Sequence, residues 1–373
     1  MKFSNLTMAA LLLAACAMPA FADNKKLPKK TLPAHEVTGP LYATRADVMQ
    51  QADAMADELG LERDWVRHAL GAAHYLPGVA KAILPPAAGV AKNWTAYRSR
   101  FVEPQRIQSG TRFWLANRDT LQRAEDQTGV PASIIVGILG VESQYGQNTG
   151  DYRVIDALST LSFDFPAAHP RAQARAAFFR SELLAYLTLT SRTHTDPLAL
   201  RGSYAGALGW PQFMPSSWAQ YAIDFDGDAR IDLFNSQADI IGSVAHYIQA
   251  FHWQRGMATH YPVHFNPARL DKATLLAPDI RPTFTAAEMA AHGVLLNAPG
   301  NQHRGPLALV ELQNGAHTPH YVAGTENFYA ITRYNWSSYY TMAVIELGDA
   351  VAAAVAAQLV TQVVASALVS VTK

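Results

Sequence analysis

Apolar positions recur at helical spacing through most of the chain. From Arg45 to about Ala82 they fall at Val48, Met55 and Leu59, then Trp65, Val66, Leu70 and Ala73, with Pro77 and the Pro85-Pro86 pair as punctuation. Residues 90–128 give further helices anchored by Trp94, Tyr97, Phe101, Phe113, Trp114 and Leu121, aromatics placed to fill a core. More helical runs are predicted near 155–163, 171–191 and 237–252, with a short one resuming at Ser216. Residues 201–217 break the period with Gly202, Gly206, Gly209, Pro211 and Pro215. From 257 to 325 the character changes. Seven prolines and short alternating runs, Leu307 to Leu312 and Tyr321 to Ala323, predict a small β-rich lobe. Residues 326–357 return to helix and aromatics. The fold class expected is α+β, predominantly α: a helical lobe over 41–128, a helical core over 129–256, the β-rich insert over 257–325, and a return to the core over 326–357. An apolar tail occupies 358–373; from Ala350 to Val371 it is uncharged, but Gln358, Thr361, Gln362 and Ser366 make it a poor membrane span. A terminal helix packing on the body is the expectation.

The most informative single stretch is 129–146. Pro131 is placed as a first helical residue, and Gly146 as a left-handed cap. Ile134, Ile135, Ile138 and Leu139 give the helix an apolar face to bury, and Glu142 continues that face, eight residues after Ile134. A carboxylate there leaves water and sits near the negative end of the helix dipole. Both effects raise its pKa and produce the protonated state that a general acid needs near neutral pH. A Glu that merely caps a helix or pairs with an Arg would show the same local sequence.

Composition narrows the classes. The 373 residues suffice for two or three lobes with a sizeable core, and 30 Lys plus Arg balance 30 Asp plus Glu, so no basic surplus points to nucleic acid. The first residues read as an export signal: Lys2, then an apolar run from Leu6 to Ala15. Two cleavage readings overlap. Leu13-Ala14-Ala15-Cys16 resembles a bacterial lipobox with Cys16 as the lipidated residue, so that the signal is 1–15; Ala20-Phe21-Ala22 resembles a signal-peptidase site and makes it 1–22. Cys16 is the only cysteine, so no intramolecular disulfide forms. Residues 23–40, rich in Lys, Pro and Thr, read as a linker.

Three segments bear on chemistry. One is Glu142-Ser143-Gln144-Tyr145-Gly146. The second runs from Gly202 to Ser217: its glycines would let backbone approach a ligand, Ser203 and Gln212 supply hydrogen bonds, and Tyr204, Trp210 and Phe213 supply flat surfaces of the kind a sugar ring needs. The third, Tyr334 to Tyr340, is dense in aromatics and amides. Alone, each also reads as a packed turn or a core cluster. Together, with the long run Gly140 to Phe165 and the acidic loop after Trp218, they resemble the lytic murein transglycosylase B family of peptidoglycan-cleaving enzymes over residues 40–357.

The resemblance implies a lysozyme-like helical catalytic core with an extra α-helical lobe and a small β lobe. It implies a glycan strand of peptidoglycan as substrate, cut between N-acetylmuramic acid and N-acetylglucosamine to leave a 1,6-anhydro ring. Glu142 falls on the family's catalytic glutamate, acid first and base second, and no catalytic cofactor is needed. Ser203, Gln212, Phe213, Tyr247, Tyr334, Asn335 and Tyr340 fall on cleft residues of the family. Arg175 matches one of two adjacent arginines, with Ala174 in place of the other; Leu208 stands where Met is typical, and Phe178 where Tyr can occur. Of the nearby acids, Asp156 reads as a helix N-cap, and Asp151, Asp156 and Asp164 receive no catalytic role. A second carboxylate facing Glu142 would make a hydrolytic muramidase the better reading. A binding scaffold without activity is the alternative from another class, and the intact Glu142, Ser203 and Gln212 argue against it.

The loop Asp224 to Asn235 places carboxylates at positions 1, 3, 5 and 9 of an EF-hand pattern and an apolar residue at 8; the ligand set is Asp224, Asp226, Asp228, Arg230 through its backbone, Asp232 and Asn235. The resemblance implies a cation there too. Ala229 at position 6 replaces Gly, and Asn235 replaces the bidentate Glu, so the expectation is weak, structural Ca2+ binding, with a solvated acidic turn as the alternative. The 13 histidines show no zinc-binding spacing. The implied setting is the periplasm of a Gram-negative bacterium, with membrane attachment only through a lipid anchor on the outer membrane, and with cell-wall synthases or scaffolds as candidate partners.

Overall fold

The computed structural model describes residues 39–85 and 91–371, with side chains described as far as Thr361. The export signal, Cys16 and all but the last two residues of the 23–40 linker lie outside the described residues. The chain divides into two compact units, one of residues 39–85 with 145–240, the other of residues 91–144 with 241–371. The helices expected over 41–128 are therefore shared between both units, and those from Trp94 onward belong with the Glu142 helix.

In the unit of residues 39–85 and 145–240, the helices Ala46–Leu59, Arg63–Gly71 and Pro77–Ala82 pack with Val154–Phe163, the long Ala172–Arg192 and the short Pro215–Tyr221. Val48, Met55, Val66, Leu70, Leu158, Leu161, Phe179 and Leu183 are buried together at helical spacing. Gly60 ends the first helix in the left-handed conformation at φ 64°. Strands β1 (Tyr152–Arg153) and β2 (Arg201–Gly202) pair antiparallel. Asp156 is not the cap of its helix. Arg153 takes that place, and Asp156, in the first turn and buried, accepts from the Arg153 guanidinium at 2.8 Å and from the His74 backbone N–H at 3.0 Å. Asp164 accepts from Tyr42 Oη at 2.6 Å and from Arg45 at 2.7 Å.

The other unit is organised on two helices. Ala132–Ser143 is buried on nearly every side, rather than along the single apolar face that its isoleucines predict. Against it lies the C-terminal helix Ser338–Val371. Glycine decides how close they come: a Cβ on Gly137 would sit 2.2 Å from the Val344 carbonyl oxygen, and one on Gly348 would sit 2.1 Å from that of Ser133. The β-rich lobe is a four-stranded antiparallel sheet of β3 (His260–Phe265), β4 (Val294–Leu296), β5 (Ala308–Asn314) and β6 (His317–Gly324), in the order β4-β3-β6-β5. One face packs Val263, Leu309 and Ala323 over Leu275 and Met289 of two short helices. The C-terminal helix is buried as far as Val355; from there to Thr361 its residues are mostly exposed, with Val360 63% exposed.

Candidate active site

Pro131 stands one position before the first helical residue, with ψ 143°, so that the helix begins at Ala132. It ends at Ser143, and Gln144 rather than Gly146 is the left-handed C-cap, at φ 52°. Tyr145 and Gly146 keep positive φ at 56° and 80°. Two residues with side chains, Gln144 and Tyr145, therefore hold a conformation that costs roughly 1–2 kcal/mol each, two and three positions after Glu142. The Arg106 guanidinium donates to the Gly140 carbonyl and places a cation at the helix's negative end.

Some surface of Glu142 still reaches solvent, yet burial of its carboxyl dominates and pushes the pKa up to about 7. Tyr340 Oη donates to Glu142 Oε1 at 2.6 Å and pulls the other way. No charged group contributes to the shift. Tyr340, 2% exposed, begins a column of rings: Tyr340 stacks on Tyr334 at 6.4 Å between centroids, and Tyr334 packs on Tyr247 at 4.7 Å. Tyr247 Oη donates to the Arg333 carbonyl at 2.7 Å. Burial and the neighbouring Glu142 push the Tyr340 and Tyr334 hydroxyls well above their usual range, so both are neutral donors. The turn Tyr334 to Ser337 leads into the C-terminal helix, whose Tyr340 N–H donates to Ser337 Oγ at 3.3 Å. Asn335 Oδ1 is buried without a hydrogen-bond partner among the described residues; such an acceptor costs about 1–3 kcal/mol until a donor reaches it. Glu142, Tyr247, Tyr334, Asn335 and Tyr340 thus belong to one unit.

Ser203, Leu208, Gln212 and Phe213 share a turn in the other unit. Its glycines allow close approach of protein backbone: a Cβ on Gly202 would meet the Ala207 carbonyl at 2.1 Å, and one on Gly209 that of Leu233 at 2.5 Å. Ser203 Oγ accepts from the Ala207 and Ala205 N–H groups at 3.0 and 3.3 Å, which leaves its O–H to donate elsewhere. Gln212 Nε2 donates to the Gly209 and Thr149 carbonyls at 2.8 and 3.0 Å, so its Oε1 remains an acceptor. Leu208 and Phe213 are 0% and 2% exposed and pair by backbone, N–H of each to carbonyl of the other, at 2.8 and 3.1 Å. They build the turn. Arg175 is also buried, its guanidinium 5.0 and 5.7 Å from the ring centroids of Phe179 and Phe178.

The acidic loop converges on a different set from the one its spacing suggests. Asp224, Asp226 and Asp239 bring carboxylate oxygens within 4.8 Å of one another. Asp239, 1% exposed, lies four residues past the twelve-residue pattern and also accepts from the N–H groups of Phe225 and Asp232, at 2.7 and 2.8 Å. Asp228 accepts from the Arg230 N–H, and Asp232 from those of Phe234 and Asn235, at 2.8–2.9 Å, while Asn235 Nδ2 donates to Asp232; Asp224 likewise accepts from the Gly227 and Ala229 N–H groups at 2.6 and 2.8 Å. Asp228 and Asp232 lie outside this group of carboxylates. Ala229 adopts φ 68°, the conformation Gly supplies in the consensus loop. Three close carboxylates fit a hard divalent cation, and Asp224, Asp226 and Asp239 are the residues that would hold one.

Residues 44–349 match the transglycosylase SLT domain family. The chain is 38% identical over 333 residues to membrane-bound lytic murein transglycosylase B of Escherichia coli (strain K12), covering 86% of this chain and 88% of that one. Solved structures similar to it include the E. coli lytic transglycosylase SLT35, in complex with bulgecin A (37% identity, TM-score 0.74, 87% of this chain and 99% of that one). The same enzyme in complex with calcium gives 37% identity and a TM-score of 0.73 over the same shares, 87% and 99%. SltB3 of Pseudomonas aeruginosa in complex with NAG-anhNAM-pentapeptide is 27% identical, with a TM-score of 0.66 over 81% of this chain and 78% of that one. The chain belongs to the transglycosylase SLT domain family, on the lysozyme-like, mostly helical fold that its motifs imply. It is a lytic transglycosylase.

Proposed function

We propose that this lytic transglycosylase cuts the bond between N-acetylmuramic acid and N-acetylglucosamine in peptidoglycan without consuming water. Glu142, protonated below about pH 7, gives its proton to the glycosidic oxygen as the C1–O bond breaks. The substrate's own N-acetyl oxygen holds C1 in the interval. The Glu142 carboxylate then takes the proton of the muramyl C6 hydroxyl, whose oxygen bonds to C1 and closes the 1,6-anhydro ring. Glu142 ends protonated, ready for the next turnover. The observation that carries this reading is a carboxyl raised by burial, with one neutral phenol as its hydrogen-bond partner and no charged group contributing to the shift. A two-carboxylate glycosidase would give it an anionic neighbour. That SltB3 was solved with an anhydro-sugar ligand agrees with such a product.

In this reading Ser203 Oγ–H, Gln212 Oε1 and Asn335 Oδ1 are the groups left to meet sugar hydroxyls and N-acetyl amides. A Ca2+ held by Asp224, Asp226 and Asp239 is structural and takes no part in the chemistry, in line with the calcium complex of SLT35. Placement in the Gram-negative periplasm, with Cys16 carrying a lipid anchor, accords with the membrane-bound E. coli relative, and synthase or scaffold partners belong to the same setting. The test is mass spectrometry of muropeptides released from purified sacculi, without borohydride. Products lighter than the reducing forms by one water are expected; reducing ends would replace this reading with a hydrolytic muramidase.

A further inference from the structure

Where the helices Ala46–Leu59 and Arg63–Gly71 meet the C-terminal end of Ala172–Arg192, the surface opens into a groove of about 730 Å³. None of the residues assigned to catalysis, to the Ser203 turn or to the acidic loop lines it. Its chemistry is carried by Glu62, Trp65, His68, Ser191, His194 and Asp196. Resting on the reading of the enzyme as one that works on a peptidoglycan strand, we propose that this groove is a second glycan-binding site, which holds the N-acetylated sugar backbone away from the scissile bond.

Three observations support it. First, the size falls within the roughly 300–1,000 Å³ of ligand clefts. Second, the polar groups are unused: the half-buried Trp65 indole N–H and the side chains of Glu62, His68, Ser191 and His194 make no hydrogen bond within the described protein. Asp196 is fixed by one bond, accepting from the Leu198 N–H at 2.9 Å, which leaves its second oxygen available. An indole in such a setting offers a flat apolar face to the C–H face of a pyranose, and the carboxylates accept from its hydroxyls and acetamido N–H. Two carboxylates at the rim disfavour phosphate polymers. Third, His194 is held at φ 51° by a turn in which its N–H donates to the Ser191 carbonyl at 3.2 Å and that of Thr195 to Thr190 at 2.9 Å. Gly would take that conformation without cost; the imidazole brings a donor and an acceptor to the groove wall. Chemically, a second hold matters because the substrate is a polymer. After one bond breaks, a strand bound elsewhere on the enzyme does not diffuse away.

The experiment uses the full chain with Glu142→Gln, so that strands are not consumed, and measures sedimentation with sacculi stripped of stem peptides by an amidase. Adding Trp65→Ala should weaken binding about tenfold, and Trp65→Phe should recover part of it. His194→Gly should weaken binding with an unchanged or higher melting temperature, which separates the site from a folding defect. In the active enzyme, Trp65→Ala should raise KM on sacculi while kcat on a short soluble muropeptide stays unchanged. Unchanged binding by Trp65→Ala, equal losses on soluble fragments and sacculi, or binding that needs the stem peptides would each overturn the proposal. Cleavage persisting in Glu142→Gln alone would instead overturn the catalytic assignment and leave the binding comparison standing.

Discussion

Glu142 and Tyr340 form one hydrogen-bonded pair although 198 residues separate them. The phenol's hydrogen bond favours the carboxylate, while burial favours the acid, and burial wins. Tyr340→Phe removes the opposing effect. Glu142 should then titrate still higher, and the alkaline limb of the kcat profile should move up by about one pH unit, since a hydrogen bond to a charged group contributes about 1.5–3 kcal/mol. A pH–rate series on sacculi checks it; a limb that does not move would mean that Tyr340 leaves the acid untouched. At this scale the sequence was legible where spacing alone placed a residue. Glu142 continues an i, i+4, i+8 row from Ile134 through Ile138, and the structure gives burial as the leading cause of its raised pKa. Leu208 and Phe213 were less legible, because contact with ligand and contact with core leave the same apolar signature.

Between elements, the crossing of Ala132–Ser143 with Ser338–Val371 sets where Glu142 and Tyr340 meet. Gly137→Ala or Gly348→Ala drives a methyl into backbone carbonyl and should cost about 1–3 kcal/mol in denaturant unfolding, with turnover falling further than stability as the pair is displaced. Neither glycine breaks the helical period, so the sequence carried no mark of the crossing. The acidic loop makes a second prediction. With millimolar affinity, 10 mM Ca2+ should stabilise the protein by about 1.4 kcal/mol. Asp239→Asn should abolish that gain in a melting experiment, and Asp228→Asn should not. Asp239 escaped the sequence reading because it lies beyond the twelve-residue pattern, on the helix Gln237–Ala250 that follows the loop.

At the scale of the whole molecule, the carboxyls of Glu142, Glu182 and Asp349, each raised by burial, contribute to a pH dependence of stability. A raised folded pKa means that the folded state binds the proton more tightly. The contribution is then fully present below the unfolded pKa and is lost as pH rises through the folded one. For Glu142 the window runs from about 4.5 to about 7. Allowing for its partial exposure, the loss is about 1–2 kcal/mol. Melting temperatures at pH 5 and pH 8 should therefore differ less in Glu142→Gln than in the native protein, and Glu142→Gln should be the more stable at pH 8 while its cleavage falls by about 10²–10⁴-fold. An undiminished pH dependence in the variant would remove Glu142 as its source.

What the sequence determined by itself is whatever depends on neighbours along the chain. Period 3.6 placed most of the helices, period 2 placed a β-rich lobe, and the ordered motifs identified the family. Tertiary structure decided what depends on approach between distant segments. It put Tyr340 on Glu142, and Asp239 beside Asp224 and Asp226. It packed Gly202 and Gly209 of the 202–217 turn against protein backbone, and it assigned the helices from Trp94 to Thr128 to the Glu142 unit. The reason is physical: local patterns fix backbone conformation over a few residues, whereas close packing depends on which surfaces meet, and sequence spacing does not encode that.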